Sequence, residues 1–324
     1  MDVRPSPLRA GSDKDAILAN VALLYYGEGM TQGEIAKRMR LSRATIVNFL
    51  REARERGIVD IRVEGRSLAG SQVGRELCAR YGLEDVYVSR PAEEGPADRA
   101  QALAQLARVA GMAFLDILEP GDRVGVAWSL TVHLMSQQIP RRPVEGVEVC
   151  QMVGSMFSER VPAAETCAIQ TATAIAARCY TLHAPGLVAS ADLARVFLAE
   201  PTIRRQLDRL ERLDLAVTSI GDMSPDTHLV AAGIASPAQI ADAARAGARG
   251  IICCRFIDAR GAPCPMPPDD RLIGIAIPTL RRARKRMLVV CGPERAEAVR
   301  AAIRGGLVSH LCVDQALAEA LLAD

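Results

Sequence analysis

The sequence predicts an α/β protein: a small helical unit at the N-terminus, then a doubly wound, Rossmann-like parallel sheet. Two observations carry this expectation. Between residues 13 and 57 apolar positions recur at helical spacing, and from residue 72 short apolar runs alternate with amphipathic helical stretches. Near-continuous apolar strands separated by helices imply a parallel sheet covered on both faces. A chain of 324 residues has room for two domains and a sizeable core.

Residues 1–12 hold two prolines and a glycine without periodicity and are expected to form a mobile tail. Residues 13–63 make the helical unit, beginning with a helix over Asp13–Gly27 that carries Ile17, Val21, Leu24 and Tyr25. Thr31 with Glu34 three residues on has the form of a capping box, so a second helix starts there. Ile35, Ala36 and Met39 supply its apolar stripe, Arg40-Leu41 breaks the pattern, and Ser42 is a good N-cap for a third helix. In that helix Ile46, Phe49, Leu50 and Ala53 face inward, leaving Arg43, Thr45, Asn48, Arg51 and Arg54 on the outer side. Gly57 ends it as a C-cap would. Ile58, Val59, Ile61 and Val63 suggest a short strand or β-wing, and residues 64–71 read as a linker.

Two short helices, a tight turn and a basic second helix are the helix-turn-helix pattern. The first turn of a reading helix enters the major groove of double-stranded DNA, where Arg43 suits guanine and Asn48 suits adenine. Ser42, Thr45 and Arg51 stand where they would reach phosphates, which fix register without reading sequence. From Lys37 to Arg56 seven basic residues stand against two acidic ones, whereas the whole chain is only +2. The alternative is an ordinary amphipathic hairpin with a solvated basic face.

Residues 72–324 read as a second domain with room to bind a small ligand. Helices are expected at Gln72–Tyr81, Ala97–Leu118, from Ser129, at Ala164–Cys179, from Ala238, at Glu294–Arg304 and at Ala316–Leu322, and Ile203–Arg212 leads into LAVTSIGD. Strands are expected at Asp85–Ser89, Arg123–Trp128, Val147–Val153, Tyr180–His183, Leu272–Ile277, Leu288–Cys291 and His310–Val313, and in the runs LAVTSIGD and IICCRFID. Ligands of such sheets bind beyond the carboxyl ends of the strands. Four strand ends carry suitable residues: Ser129 and Thr131, Gly154 and Ser155, Gly221 and Asp222, and Gly292 and Arg295. Helix N-termini favour anions, and Arg295 in a first turn repels the helix dipole unless an anion pairs with it. Ordinary strand–helix turns are the alternative reading of each.

Aromatic residues make up 3% of the chain, which argues against base stacking on single strands. No apolar run is long enough to span a bilayer, and Met1–Ser12 lacks the apolar core of a signal peptide. Nine dispersed cysteines form no CxxC and read as buried, reduced thiols. His133, His183, His228 and His310 show no metal-ligand spacing and read as structural or exposed; Asp226 and His228 fall in what reads as a solvated loop. The run Arg281–Arg286 reads as a solvated face or a subunit contact. The expectation is a cytoplasmic protein with neither cofactor nor metal and no membrane partner.

The stretches YYGEGMTQGEIAKRMRLSRATIVNFL, VGVAWSLT, LAVTSIGD, GARGIICCRFIDARG and VVCGPERAEAVRAAIRGGLVSHLCVD resemble, in order and spacing, the SorC-type sugar-binding transcriptional regulators. That group includes the deoxyribonucleoside and central glycolytic gene regulators, and the resemblance runs from about Asp13 to Leu322. It implies an N-terminal helix-turn-helix and an effector domain of the sugar-phosphate isomerase and deaminase type. It also implies phosphorylated sugar effectors, and homodimers or homotetramers on operator DNA. Trp128 and Thr131 match the family's strand-end motif, whereas Ser129 and Leu130 depart from it; Arg295 takes a lysine's place. The family's Gly-Asp-Ile becomes Gly250-Ile251-Ile252, and its Thr-Asp-Glu becomes Val313-Asp314-Gln315, keeping Asp314 as an effector candidate. These departures favour a different sugar or polyol, phosphorylated or not. The rival functions are a sugar-phosphate isomerase or deaminase, sharing the architecture, and an architectural DNA-binding protein.

Overall fold

The computed structural model describes residues 8–59, 70–90, 98–156, 158 and 161–323. The chain divides into two compact units, residues 1–63 and 64–324.

In the first unit α1 (Leu8–Ala22) begins inside the stretch expected to be a tail; residues 1–7 lie outside the described residues. It runs into a π-helical turn, Leu23–Gly27. Val21 and Leu24 are buried and Tyr25 packs against them as expected, but Leu18 rather than Ile17, which is 43% exposed, continues the inward stripe. The wider π turn carries an extra residue, which keeps Leu24 on the buried side. α2 (Gln32–Met39) opens with the reciprocal capping box: Glu34 N donates to Thr31 Oγ1 at 3.3 Å, and Thr31 N donates to Glu34 Oε2 at 2.8 Å. Those bonds to Thr31 hold the Glu34 carboxyl below the usual range. Arg40, left-handed at φ 55°, ends α2, and Ser42 caps α3 (Arg43–Glu55). Ile35, Ile46, Leu50 and Ala53 close the core against α1. Of the expected β-wing, Ile58 and Val59 form no strand, and Ile61, Val63 and linker residues 64–69 lie outside the described residues.

The second unit runs α4 (Gln72–Tyr81), β1 (Asp85–Ser89), α5 (Arg99–Ile117), β2 (Arg123–Val126), α6 (Leu130–Gln138) and β3 (Glu148–Gln151). It continues with α7 (Ala164–Ala174), β4 (Arg178–Tyr180), α8 (Ala191–Ala199), α9 (Pro201–Leu210), β5 (Leu215–Thr218), β6 (Ile220–Gly221), α10 (His228–Ala231) and α11 (Pro237–Arg245). β7 (Ala248–Ile252), β8 (Arg255–Asp258), α12 (Ile277–Arg281), β9 (Lys285–Val290), α13 (Ala296–Arg304), β10 (His310–Asp314) and α14 (Gln315–Leu322) complete it. Seven strands form one sheet in the order β1-β10-β9-β5-β2-β3-β4, with every pair parallel. β6, β7 and β8 make a small antiparallel sheet on which α13 packs. α5, α6 and α7 pack side by side, and α4 packs against α14. The strands are apolar on both sides because both faces are covered: Val124, Val149, Leu215, Met287, Leu288 and Leu311 are wholly buried. Each such side chain contributes about 1.5–3 kcal/mol relative to exposure.

Four local expectations fail for identifiable reasons. Helix α7 stops at Ala174, and Cys179 lies in β4. IICCRFID is a hairpin, β7–β8, turned by Cys253 and Cys254 at φ 48° and 63°; nothing in its apolar run announces left-handed residues there. Leu272–Ile277 makes only isolated bridges, Leu187 with Leu272 and Val153 with Gly274, before α12 begins. In the run at 281–286, Arg281, Arg282 and Arg284 are exposed as a solvated face would have them, and the departure is at Lys285. Lys285 is buried with Nζ donating to Asp122 Oδ2 at 2.7 Å and Ile117 O at 2.9 Å, and Arg284 donates to Asp122 Oδ1 at 2.9 Å.

The nine cysteines are unpaired, and Cys150, Cys167, Cys253, Cys254, Cys291 and Cys312 are buried. Burial pushes the thiols of Cys150 and Cys253 up to about 12. Among the described residues no helix is long and apolar enough to cross a membrane.

Candidate functional sites

In the helical unit, Arg43, Ala44, Val47, Asn48 and Arg51 are exposed along one side of α3. Their spacing of three and four residues makes them neighbours on a single stripe. The cap that starts α3 uses two of the expected phosphate contacts: Ser42 Oγ accepts from Thr45 N at 3.0 Å and lies 2.8 Å from Thr45 Oγ1. Ser42 stays exposed and Thr45 is half-buried. Arg43 Nε donates to Gln32 Oε1 at 3.5 Å, which ties the first residue of α3 to the first of α2. Arg51 Nη2 donates to Asn48 Oδ1 at 3.2 Å, so the amide nitrogen of Asn48 points its donors elsewhere. Val47, 43% exposed, was not foreseen; apolar exposure amid a polar stripe is the signal that marks it.

In the larger unit a cleft of about 950 Å³ opens at the carboxyl ends of the adjacent strands β2, β5 and β9. The β2 end supplies Trp128, Ser129 and Thr131. Ser129 Oγ caps α6 by accepting from Val132 N at 3.0 Å, and Trp128 Nε1 donates to Pro162 O at 2.7 Å. Beyond β5, Gly221 ends the short strand β6 and Asp222 follows it; Asp222 Oδ1 accepts from Ser224 N at 2.9 Å, and Oδ2 lies 3.9 Å from Arg295 Nη2. The end of β9 supplies Cys291, Glu294 and Arg295, and the small sheet adds Arg249, Ile251 and Cys253.

The cleft therefore gathers Ser129, Thr131, Gly221, Asp222 and Arg295, but four other candidates do not line it. Gly154 is a packing glycine: a Cβ there would sit 2.7 Å from the carbonyl oxygens of Ala184 and Pro185. Ser155 Oγ is spent on Glu165 Oε2 at 3.0 Å. Asp314 is buried at the end of β10, where Oδ1 accepts from Gly292 N at 2.8 Å. Gly292 itself, at φ 103°, shapes the loop that carries Glu294 and Arg295. Both residues support the cleft from behind.

His228 corrects a further expectation. It is half-buried in the cleft wall, its ring 5.7 Å from that of Trp128 and nearly edge-on to it. Burial, reinforced by Arg295 and opposed by Asp222, pushes its pKa down to about 4, so the imidazole is neutral near pH 7. A neutral imidazole both donates and accepts, as sugar hydroxyls do. Arg99, Arg249, Glu294 and Glu297 also line the cleft without having been foreseen, because they reach it from separate elements. Hydroxyls, carboxylates, guanidiniums and one indole around a concave wall suit a small polyhydroxylated ligand. Among the described residues no cluster of His, Cys, Asp and Glu could hold a metal ion.

Residues 68–323 match the family model described as a putative sugar-binding domain. The chain is 33% identical over 302 residues to the uncharacterized transcriptional regulator YjhU of Escherichia coli, covering 93% of this chain and 92% of that protein. It is 29% identical to the deoxyribonucleoside regulator of Bacillus subtilis, covering 96% and 99%. The crystal structure of the full-length sorbitol operon regulator SorC from Klebsiella pneumoniae superposes with a TM-score of 0.74 at 22% identity, over 95% of this chain and 99% of that one, which shows the shared fold. These relatives are regulators of transcription rather than isomerases or deaminases. The chain belongs to the SorC-type family of sugar-binding transcriptional regulators.

Proposed function

We propose that this regulator binds double-stranded operator DNA through a helix-turn-helix formed by α2 and α3, and that a small sugar, polyol or phosphorylated derivative in the cleft controls it. The observation that carries the reading is the cleft at the ends of β2, β5 and β9, whose wall sets Asp222, Arg295, Thr131 and neutral His228 around one space. The exposed stripe Arg43–Asn48–Arg51 supports the DNA half, with Ala44 and Val47 suited to thymine methyl groups. The larger unit then corresponds to an effector domain of the sugar-phosphate isomerase and deaminase type, working without catalysis in a cytoplasmic homodimer or homotetramer.

A thermal-shift screen of the full chain against pentoses, hexoses, alditols and their monophosphates tests this. A ligand at a hundred times its Kd stabilises the folded state by about 2.7 kcal/mol. Thr131→Ala and Asp222→Asn should each remove most of that stabilisation and of the ligand's effect on operator binding. A panel in which nothing stabilises the chain, or in which both variants respond like the parent, rejects the cleft as the effector site.

A further inference from the structure

We propose that Glu294 is a specificity-determining residue: an internal counter-anion, seated between Arg99 and Arg295, that tunes the cleft for uncharged polyhydroxylated ligands and against phosphorylated ones. The inference rests on the cleft being the effector site. Glu294 Oε1 accepts from Arg295 Nη1 at 2.7 Å and lies 3.1 Å from Arg99 Nη2, so one carboxylate occupies the place that an anionic group of a ligand would take. The rest of Arg295 is also engaged, with Nη1 donating to Cys291 O and Nη2 facing Asp222. The third guanidinium of the wall, Arg249, meets Glu297 Oε1 at 2.8 Å.

The charge balance points the same way. Three arginines and four acidic side chains line the cleft, and His228 is neutral. A phosphate dianion would enter a wall whose cations are already paired, and would have to expel Glu294 or lie against it. Vicinal hydroxyls meet no such conflict: carboxylates accept from them while the guanidiniums and His228 donate.

The backbone at Gly292 is compatible with this arrangement. Gly292 adopts φ 103°, and a Cβ on it would fall 2.4 Å from Glu294 Oε2. The positive φ is what calls for glycine here, and the absent side chain leaves the space that the Glu294 carboxylate occupies. Asp314 fixes that loop by accepting from Gly292 N at 2.8 Å. Glu294 is 41% exposed on its side chain and Arg295 is 21% exposed, so both can still reach a ligand.

The test titrates the full-length protein with inorganic phosphate, and then with matched alditols and alditol monophosphates, by calorimetry. Glu294→Gln keeps the size, removes the charge and frees two guanidiniums. Charge-assisted bonds of this kind are worth enough to raise phosphate affinity by about tenfold or more. Glu145→Gln, on an exposed loop away from the cleft, controls for net charge and should leave phosphate affinity unchanged. Adding Arg295→Ala to Glu294→Gln should abolish the gain. The proposal is overturned if Glu294→Gln binds phosphate no better than the parent, if Glu145→Gln gains as much, or if the parent prefers a monophosphate to its alditol. An alditol that binds the parent while Glu294→Gln gains nothing leaves the effector site standing and removes only the role of Glu294. A gain in phosphate affinity with no sugar or alditol bound by any variant keeps that role and removes the effector reading.

Discussion

Lowering the pH titrates His228 in the unfolded chain long before it does so in the folded one. Its pKa falls from the ordinary 6.5 to about 4 on folding, chiefly through burial. The stability this group contributes is therefore fully present above about pH 6.5 and is lost as the pH falls toward 4. With these two values the loss at pH 5 is about 2 kcal/mol relative to neutral pH. His133 and His310 are also pushed down by burial and titrate in the same direction, so the comparison must be with a variant rather than with neutral pH alone. His228→Gln removes one titration and leaves the others. Urea unfolding at pH 7 and at pH 5, followed by the fluorescence of Trp128, the chain's single tryptophan, should show the parent losing about 2 kcal/mol more than the variant. The same indole gives a second reading, because an imidazolium quenches it. The folded parent should dim with a midpoint well below 6.5, and His228→Gln should not. Parallel losses of stability in the two proteins, or a quenching midpoint near 6.5, would show that the cleft wall does not desolvate this ring.

On DNA, Arg43→Ala should cost about 1–3 kcal/mol at the operator and relax sequence preference, whereas Arg51→Ala should weaken all sequences alike and flatten the salt dependence. Operator and random DNA bound by both variants as by the parent would mean that α3 is not the reading helix. At the amino end of β9, Lys285→Met takes from the buried Asp122 one of its two cationic partners, Arg284 remaining, and should cost about 1–3 kcal/mol in urea unfolding, while Lys285→Met with Asp122→Leu should recover part of it. A single variant costing under about 1 kcal/mol would contradict the reading of Lys285 as a buried partner.

What the sequence made legible follows the reach of each interaction. The caps at Thr31 and Ser42 act across three residues, so α2 and α3 could be placed almost to the residue. Parallel strands advertised themselves by apolar runs, since both faces are covered. The β7–β8 hairpin was illegible because Cys253 and Cys254 take left-handed conformations that glycine or asparagine would have signalled. In the cleft, Ser129, Thr131 and Asp222 were legible because strand ends announce themselves locally. His228, Arg99 and Glu294 were not, since their roles depend on partners far along the chain; Arg99 and Glu294 alone are separated by nearly two hundred positions. Gly154 and Asp314 misled in the opposite sense, as small and acidic residues at strand ends also serve plain packing and loop anchoring.

Every cysteine of this protein lies between Cys78 and Cys312, so the unit of residues 1–63 has no thiol at all. The buried thiols of Cys150, inside the sheet, and Cys253, in the cleft wall, are protonated at neutral pH, and a thiolate-seeking reagent reacts with them faster when their surroundings open. Alkylation timed against denaturant thus becomes a clock for the larger unit alone, running on the native sequence without any introduced probe. Melting of the N-terminal helices leaves it silent. A ligand that slows labelling at Cys253, on the cleft wall, more than at Cys150 in β3 would reveal where its binding free energy is stored.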